Sequence, residues 1–231
     1  MELEDFPFKT HKGIPAAFYK DYAIIGDIHI GFERRFGAGG FNVWDKTKEI
    51  FDGIVALGSK KLIILGDLRD DYTEIRPDEG GLLFKFLGML SDRFEEIIIT
   101  KGNHDGGLIK LTSRLANVRL EREFMLDNVG FMHGHSMPSK KFAENVSTVC
   151  FGHLHPSLVV RDSNGVPYKS DCWLLMDVDL PKKTYAVCTL KYGVCFPKFN
   201  RYIGSTDRID DIGLMKYCTV TRRLTTDLLL V

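Results

Sequence analysis

Five short aliphatic runs in this chain end in the same way, and this repeated pattern constrains the fold more than any other feature. Each run is followed at once by Gly or a polar residue and then by Asp, Asn or His. The runs cover residues 22–25, 62–65, 97–100, 129–132 and 148–151. Short continuous apolar runs bounded by Gly are typical of strands that are buried on both faces. We therefore predict five buried strands, each with polar side chains at its carboxyl end.

The segments around these runs predict the rest of the architecture. Residues 45–57 and 78–90 carry apolar stripes at helical spacing, so helices should separate the first three strands in right-handed βαβ units. Beyond residue 156 the pattern changes to short strand candidates, with a hairpin turn at Asn164-Gly165. The candidates are residues 157–161, 166–170, 172–177, 184–190 and 192–196. The segment from Ser205 onward has no clear pattern. We expect a mixed α/β chain of two packed sheets with helices outside.

The composition limits the class of protein. The 231 residues carry 31 basic and 31 acidic side chains, so no global basic excess indicates nucleic-acid binding, although a local basic patch is compatible with this balance. We expect one domain over residues 1–231. The start of the chain is acidic, and no run approaches the roughly 18 apolar residues of a membrane helix. We therefore expect no membrane association. The five cysteines lack CxxC spacing, which indicates buried thiols in a cytoplasmic protein.

Six of the seven histidines lie in the polar clusters that follow the predicted strands. With the carboxylates they form a set of nitrogen and oxygen ligands without thiolate, which suits Mn, Fe, Co, Ni or Zn. Because strand carboxyl ends meet at one edge of a parallel sheet, the clusters could converge there. Asp27 and His29 are two residues apart, so on an extended segment they would point the same way and could grip one ion. His153 and His155 repeat this spacing.

A single carboxylate follows the second strand. Asp67 has two oxygens and could bridge two ions, while Asn103 offers a neutral carbonyl oxygen and His133 another nitrogen. Two metals about 3.5–4 Å apart can hold the attacking and leaving oxygens of an in-line phosphoryl displacement. The ligand set is therefore sufficient for a dinuclear centre that acts on phosphate esters.

Taken in order, the five clusters resemble the five motifs of the calcineurin-like metallophosphoesterases. The motifs are Asp27-x-His29, Gly66-Asp67, Gly102-Asn103-His104-Asp105, His133-Gly134-His135 and Gly152-His153-x-His155. The resemblance implies a four-layer αββα sandwich of two mixed sheets. It also implies two divalent metal ions, with Mn²⁺ expected and Fe, Ni, Co or Zn as alternatives.

The resemblance further implies a role for each motif residue. One metal would be bound by Asp27, His29, Asp67 and His155, and the other by Asp67, Asn103, His133 and His153. Asp67 would bridge the two ions. His104 would protonate the leaving oxygen or stabilise charge in the transition state, and Asp105 would orient His104.

A narrower resemblance points to nucleases. Residues 26–33 and 152–156, with the late segment 196–200 and Gly204, resemble archaeal SbcD-related phosphoesterases and the ligase-associated DNA-damage-response endonuclease family. This resemblance implies single-stranded or damaged DNA as substrate and a DNA-repair protein as partner. Wider nuclease families carry a capping domain after the core. Few residues remain for one here, so no large capping domain is expected.

Several side chains near the motifs have two interpretations. In the fourth motif the family ligand is the His before Gly, so we choose His133, and His135 either reaches the phosphate or is a satisfied loop histidine. Arg34 and Arg35 precede the Gly-rich residues 37–40, and they either contact the phosphate or lie in a solvated loop.

The residues after Asp67 also have two interpretations each. Asp70 or Asp71 either orients a metal-bound His or forms an exposed acidic turn. Tyr72 either stacks on a base or packs against the rim. We assign no role to Trp44 or Trp173.

Three functions compete at this point. The first is a two-metal phosphodiesterase, which the narrower resemblance would make a DNA-repair nuclease. The second is a phosphodiesterase for nucleotides or small organic diesters. The neutral composition supports this function as well as it supports a nuclease. The third belongs to a different class, a non-catalytic scaffold for a helicase, ligase or ATPase. The chain retains every expected ligand, which argues against the scaffold.

Overall fold

The computed structural model describes residues 8–38, 45–209 and 211–228, without the side chains of residues 36–38. Residues 39–44, which include Trp44 and part of the Gly-rich stretch, fall outside this description. The first sheet contains β1 (Lys9–Thr10), β2 (Ala16–Tyr19), β3 (Tyr22–Ile25), β4 (Lys61–Ile64), β5 (Glu96–Thr100) and β6 (Val118–Glu121). The second contains β7 (Glu123–Leu126), β8 (Val129–Met132), β9 (Thr148–Phe151), β10 (Ser157–Arg161), β11 (Pro167–Val178), β12 (Tyr192–Cys195) and β13 (Cys218–Thr225). The helices are α1 (Glu33–Ala38), α2 (Thr47–Val55), α3 (Pro77–Ser91), α4 (Ile109–Thr112), α5 (Lys140–Asn145) and a 3₁₀ helix (Gly213–Tyr217).

The strands that precede the motifs are paired in parallel. In the first sheet β3, β4, β5 and β6 are parallel neighbours, and β1 and β2 extend the sheet beyond β3 in antiparallel pairing. In the second sheet β8, β9 and β12 are parallel neighbours, while the other pairings are antiparallel. Each sheet therefore collects the carboxyl ends of its motif strands at one edge.

Three apolar clusters lie between the layers. On β4, Leu62 and Ile64 pack with α2 and α3, whereas Ile63 packs into the cluster between the two sheets. On β9, Phe151 packs with α5, whereas Cys150 packs into the central cluster. This alternation buries both faces of the motif strands. It confirms the expected mixed α/β fold of two sheets with helices outside.

Most of the predicted elements are present. The five motif strands and the two predicted helices are confirmed, with ends that differ by at most two residues. The strands predicted at 166–170 and 172–177 form one long strand, β11, and Gly165 with φ +78° lies in the predicted hairpin turn. The strand predicted at 184–190 is wrong. The Tyr185 hydroxyl donates to Pro138 O, and Thr189 N–H donates to Ala143 O, so this segment packs as a loop beside α5.

All five cysteines lie in the described ranges and are free thiols. Cys150, Cys172 and Cys195 are buried, and burial raises the pKa of the Cys150 and Cys195 thiols. These thiols are therefore unreactive members of the core. Within the described ranges, none of the helices combines the length and the apolar character that a membrane crossing requires.

Candidate metal centre

The polar residues that follow β3, β4, β5, β8 and β9 meet at one edge of the sandwich. Among the described residues, three groups have ligand atoms that all lie within 4.8 Å of one another. The first group is Asp27, His29 and His155, the second is Asp67, His133 and His153, and the third is His29, Asp67 and His104. The first two groups draw on both sheets, and the third links them.

The first group directs two imidazoles and a carboxylate at one point. His155 Nε2 lies 3.5 Å from Asp27 Oδ1 and 3.3 Å from His29 Nε2. Asp27 is fully buried and His29 is nearly so. Nitrogen and oxygen donors that converge in this way form a suitable site for a first-row divalent cation.

The second group is centred on His133. His133 Nε2 lies 3.2 Å from Asp67 Oδ2 and 3.1 Å from His153 Nδ1. Asn103 joins this group, because its Oδ1 lies 3.2 Å from the same ring nitrogen. Asn103 is exposed, so the second group opens to solvent.

Asp67 borders both groups. Its Oδ2 lies 3.2 Å from His133 Nε2, 3.7 Å from His29 Nε2 and 3.9 Å from His104 Nε2. Its Oδ1 accepts a hydrogen bond from the His104 backbone N–H at 3.0 Å. The carboxylate is therefore fixed by the backbone on one side and faces donor nitrogens on the other, which is the position that a bridging ligand requires.

The buried carboxylates and imidazoles shift one another's pKa. Burial alone would raise the pKa of Asp27 and Asp67, but the neighbouring His155 and His133 hold both pKa values below the usual range. Burial opposes the charge on His133, but Asp67 outweighs it and raises the pKa of His133 to about 9. Burial and the nearby His133 lower the pKa of His153 to about 4. Ionised carboxylates and a neutral imidazole are the forms that bind metal, and His133 must lose a proton to join them.

Five predicted ligands have left-handed backbone. The values of φ are +42° at Asp27, +50° at His29, +47° at Asp67, +76° at His153 and +48° at His155. The prediction of extended segments is therefore wrong, although Asp27 and His29 do point into the same group, as expected. His153 and His155 point into different groups because the backbone turns between them. Asp and His are among the residue types other than Gly that tolerate this region.

Two glycines allow the loops to approach the carboxylates closely. A Cβ at Gly102 would overlap Asp67 Oδ1, and one at Gly152 would overlap Asp27 Oδ2. Any larger residue at these positions would displace a predicted ligand.

Backbone carbonyls hold the outward nitrogens of two predicted ligands. His133 Nδ1 donates to Leu65 O at 2.7 Å, and His155 Nδ1 donates to Gly204 O at 3.1 Å. A carbonyl oxygen only accepts, so Nδ1 carries a hydrogen in both rings. This arrangement leaves Nε2 as the nitrogen that can bind a metal.

Asp70 is the buried partner of a third ring. Its Oδ1 lies 3.2 Å from His29 Nδ1, and its Oδ2 pairs with Arg35 Nε at 2.7 Å. Asp71, by contrast, is only partly buried and accepts hydrogen bonds from Thr73. Of the two interpretations for this acidic pair, the orienting one fits Asp70 and the turn fits Asp71.

The His104 ring lies beside Asp67 and has a backbone partner. Its Nδ1 lies 2.5 Å from Asp70 O, and its Nε2 lies 3.9 Å from Asp67 Oδ2. The side chain is partly exposed, so it stands at the surface of the centre. Asp70 O therefore orients this ring.

Asp105 has a different role from the predicted one. Its carboxylate is fully buried and accepts from Leu68 N–H at 2.9 Å and from Gly102 N–H at 2.8 Å. Both oxygens are engaged by backbone, so Asp105 fastens the second and third motif loops together. The expectation that it orients the His104 side chain does not match this geometry.

A buried ion pair that the sequence did not reveal holds the loop before α3. Arg69 is fully buried, and its Nε and Nη2 donate to the two carboxylate oxygens of Glu79 at 2.7 and 2.9 Å. Its Nη1 donates to Thr73 O at 2.7 Å and to His104 O at 3.3 Å. A bidentate pair fixes both partners, so Arg69 ties this loop to the third motif. No pattern in a single sequence distinguishes such an arginine from an exposed one.

Of the predicted substrate contacts, His135 belongs to none of the three groups, and Arg35 reaches the centre only through its pair with Asp70. Arg34 Nη1 pairs with Asp78 Oδ2 at 2.7 Å. The ring centroid of His135 lies 5.3 Å from that of His133. Burial and the charge on His133 lower the pKa of His135. A neutral His135 ring can therefore donate or accept a hydrogen bond beside the second group.

The late segment 196–200 supports the first motif from the second sheet. Lys198 forms a backbone bridge with Gly26, and its buried Nζ pairs with Asp171 Oδ2 at 2.7 Å. Asn200 Nδ2 donates to Ile28 O at 2.8 Å. These contacts fix the first motif loop against the second sheet.

Comparison with solved structures concerns the fold. The nuclease MPE of Pseudomonas putida is similar over 95% of this chain and 96% of its own, with a TM-score of 0.61 and 16% identity. YfcE, a phosphoesterase from E. coli, is similar over 63% of this chain and 75% of its own, with a TM-score of 0.38 and 18% identity. The first of these likenesses supports the fold, and no curated protein sequence matches the chain significantly.

The match to a family model shows the family and the activity as well as the fold. Residues 21–142, just over half of the chain, match the model of the calcineurin-like phosphoesterases, and this range includes the first four motifs. The described residues also supply groups of His and Asp that could hold divalent metal. The chain belongs to the calcineurin-like phosphoesterase family and is a metal-dependent phosphoesterase.

Proposed function

We propose that the protein is a phosphodiesterase that uses two divalent metal ions. The observation that carries the proposal is the position of Asp67, whose Oδ2 lies 3.2 Å from His133 Nε2 and 3.7 Å from His29 Nε2. One carboxylate thus borders two separate sets of donors, and a single ion would use only one of these sets as ligands.

The residues present fit two metals. One ion would be held by Asp27, His29, Asp67 and His155, and the other by Asp67, Asn103, His133 and His153. The imidazole content favours Mn²⁺, with Fe, Co, Ni or Zn as alternatives, over Mg²⁺, which prefers oxygen ligands. When bound, such metals polarise phosphoryl oxygens and lower the pKa of the water that attacks phosphorus.

His104 is the residue that we assign to the leaving oxygen. Asp70 O accepts only, so Nδ1 of His104 carries a hydrogen and Nε2 faces the Asp67 side of the centre. In the imidazolium form Nε2 carries a second proton, which it can donate to the departing oxygen, leaving the neutral ring with its hydrogen on Nδ1. The His104 side chain is 23% exposed, so solvent can restore the proton after each turnover.

The substrate is the finer part of the proposal. The resemblance of residues 26–33, 152–156 and 196–200 to SbcD-related and ligase-associated families supports single-stranded or damaged DNA, cleaved in a DNA-repair setting beside a repair partner. The likeness to a bacterial nuclease extends over nearly the whole chain, which supports a single domain over the residues given. The second candidate is a nucleotide or small organic diester, which the balance of 31 basic and 31 acidic residues supports as well as it supports a nuclease substrate.

Turnover of bis-p-nitrophenyl phosphate tests the proposal. Protein freed of metal by chelation should be inactive, and Mn²⁺ should restore turnover better than Mg²⁺. Single-stranded oligonucleotides and cyclic nucleotides would then separate the two substrate classes. Full activity in Mg²⁺ alone, with no transition metal bound, would contradict the metal assignment. No turnover with any divalent metal would contradict the proposal as a whole.

A further inference from the structure

Tyr72 lies in the loop after the second motif and presents its ring to solvent beside His104. Its exposure is 76%, the highest among the large hydrophobic residues in the described ranges. The ring centroids of Tyr72 and His104 are 6.1 Å apart with an interplanar angle of 89°. A single exposed aromatic residue is ordinary on a protein surface. Its position next to His104, the residue that we assign to the leaving oxygen, is the feature that needs an explanation.

The loop that carries Tyr72 is held firmly on both sides of the ring. The carbonyl of the next residue, Thr73, accepts a hydrogen bond from the fully buried Arg69 at 2.7 Å. Thr73 N–H also donates to Asp71 Oδ1 at 2.9 Å. Arg69 is fixed in turn by its bidentate pair with Glu79. The exposed ring therefore stands on an ordered backbone, so little entropy is lost when a ligand contacts it.

Tyr72 also lines two surface cavities, so its ring is accessible to a planar ligand. One cavity of about 240 Å³ is lined by Tyr72 with Arg34, Arg35 and Arg76 among its other residues. The second, of about 480 Å³, is lined by Tyr72, Ile75 and the glycines that follow the third motif. A flat group attached to an oxygen beside His104 would lie within reach of this ring, because the two ring centroids are 6.1 Å apart.

We propose that Tyr72 is a platform on which the nucleobase of the leaving group stacks. The inference rests on the proposed function, because it places the leaving group on the His104 side. Every nucleobase has a π face, so stacking on one tyrosine recognises nucleic acid without selecting a sequence. The enzyme would therefore prefer diesters whose leaving side carries a base over those whose leaving side carries only a sugar or an alkyl group.

Kinetics on matched substrates test the platform. The substrates are a dinucleoside monophosphate and two analogues, each of which lacks one base. For the wild type, removal of the leaving-side base should lower kcat/KM by roughly 5- to 150-fold, the range for loss of one stacked base. Tyr72→Ala should cause a similar loss of kcat/KM on the intact substrate. It should cause little further loss on the analogue that lacks the leaving-side base, because the substitution and the missing base remove the same contact. Tyr72→Phe should retain the preference for a leaving-side base. Tyr168 is another exposed tyrosine and lies on β11, so Tyr168→Ala is the matched control.

A binding measurement gives a readout that does not depend on turnover. Fluorescence anisotropy of a labelled oligothymidylate with metal-free protein should show weaker binding by Tyr72→Ala and unchanged binding by Tyr72→Phe and Tyr168→Ala. If Tyr72→Ala lowers kcat/KM equally on all three substrates and leaves binding unchanged, the ring only supports His104 and the inference is overturned. If the wild type hydrolyses no diester with any metal, the proposed function fails, while the binding experiment still decides whether Tyr72 stacks on bases.

Discussion

Asp67 Oδ2 lies 3.2 Å from His133 Nε2, although Asp67 follows a strand of the first sheet and His133 a strand of the second. The centre therefore spans the joint between the two sheets. Its assembly depends on how the sheets pack together, and a metal held by residues of both sheets would in turn join the two halves of the sandwich.

Asp67→Asn should abolish turnover and lower metal content at both positions. The substitution removes the charge that faces two donor sets at once, so neither ion keeps its full ligand field. Elemental analysis of the purified variant measures this directly. Asp52→Asn, at an exposed position on α2, is the control and should retain metal and activity. Two metals per chain with near-normal turnover in Asp67→Asn would contradict the bridging assignment.

His104→Ala should keep both metals and lose about 10²–10⁴-fold in turnover, the usual contribution of a positioned general acid. His153→Ala should instead lose a metal, because its Nδ1 belongs to the second group. The loss in His104→Ala should be small for p-nitrophenolate, a good leaving group, and large for a deoxyribose oxygen. Equal losses on both substrates would mean that His104 stabilises phosphoryl charge. Metal content and kinetics of the two variants, with His11→Ala as control, provide the comparison.

Arg69→Met should lower the free energy of unfolding by about 3–5 kcal/mol, because it leaves Glu79 buried without its partner. Arg69→Met combined with Glu79→Leu should recover part of this loss, since no unpaired charge remains. Arg119→Met provides the comparison with an exposed pair and should cost at most about 1 kcal/mol. Denaturant unfolding of the four proteins gives the values. Equal costs for Arg69→Met and Arg119→Met would show that the buried pair is weak.

The metal-free protein should be most stable near pH 6.5, the ordinary pKa of histidine. The pKa of His133 is raised to about 9, so its contribution is complete below pH 6.5 and is lost as the pH rises through 9. The pKa of His153 is lowered to about 4, so its contribution is present above pH 6.5 and is lost as the pH falls towards 4. Thermal unfolding in the presence of a chelator tests this, with metal-loaded protein as control. A steady rise in stability from pH 6 to 9 without metal would contradict it.

The motif strands were predictable because their signal is local. A run such as 62–65 is aliphatic on both faces, which indicates a buried strand without knowledge of its neighbours. Strand β13 was not predicted, because its residues 218–225 are mostly polar and its extended state depends on pairing with β11. The predicted strand at 184–190 was wrong for the converse reason, since its backbone groups bind α5 and the adjoining loop.

The residues of the metal centre also divide into those that the sequence predicts and those that it does not. The predicted ligands stand at strand ends, where the order of residue types alone indicates chemistry. The pairing of Arg69 with Glu79, and the contact between His104 and Asp70 O, depend on how the loops fold over one another. Such contacts leave no mark on residue spacing. The residues that position the chemistry are therefore harder to predict than those that perform it.

The left-handed backbone at five predicted ligands has a consequence for protein engineering. Each such conformation costs about 1–3 kcal/mol, and Gly relieves the cost at any of the five positions. Glycine at any of residues 27, 29, 67, 153 and 155 would relieve this strain, but it would also remove a predicted metal ligand and its contacts. Thermostable variants of this enzyme should be sought in its loops and outer helices, with these five positions held constant.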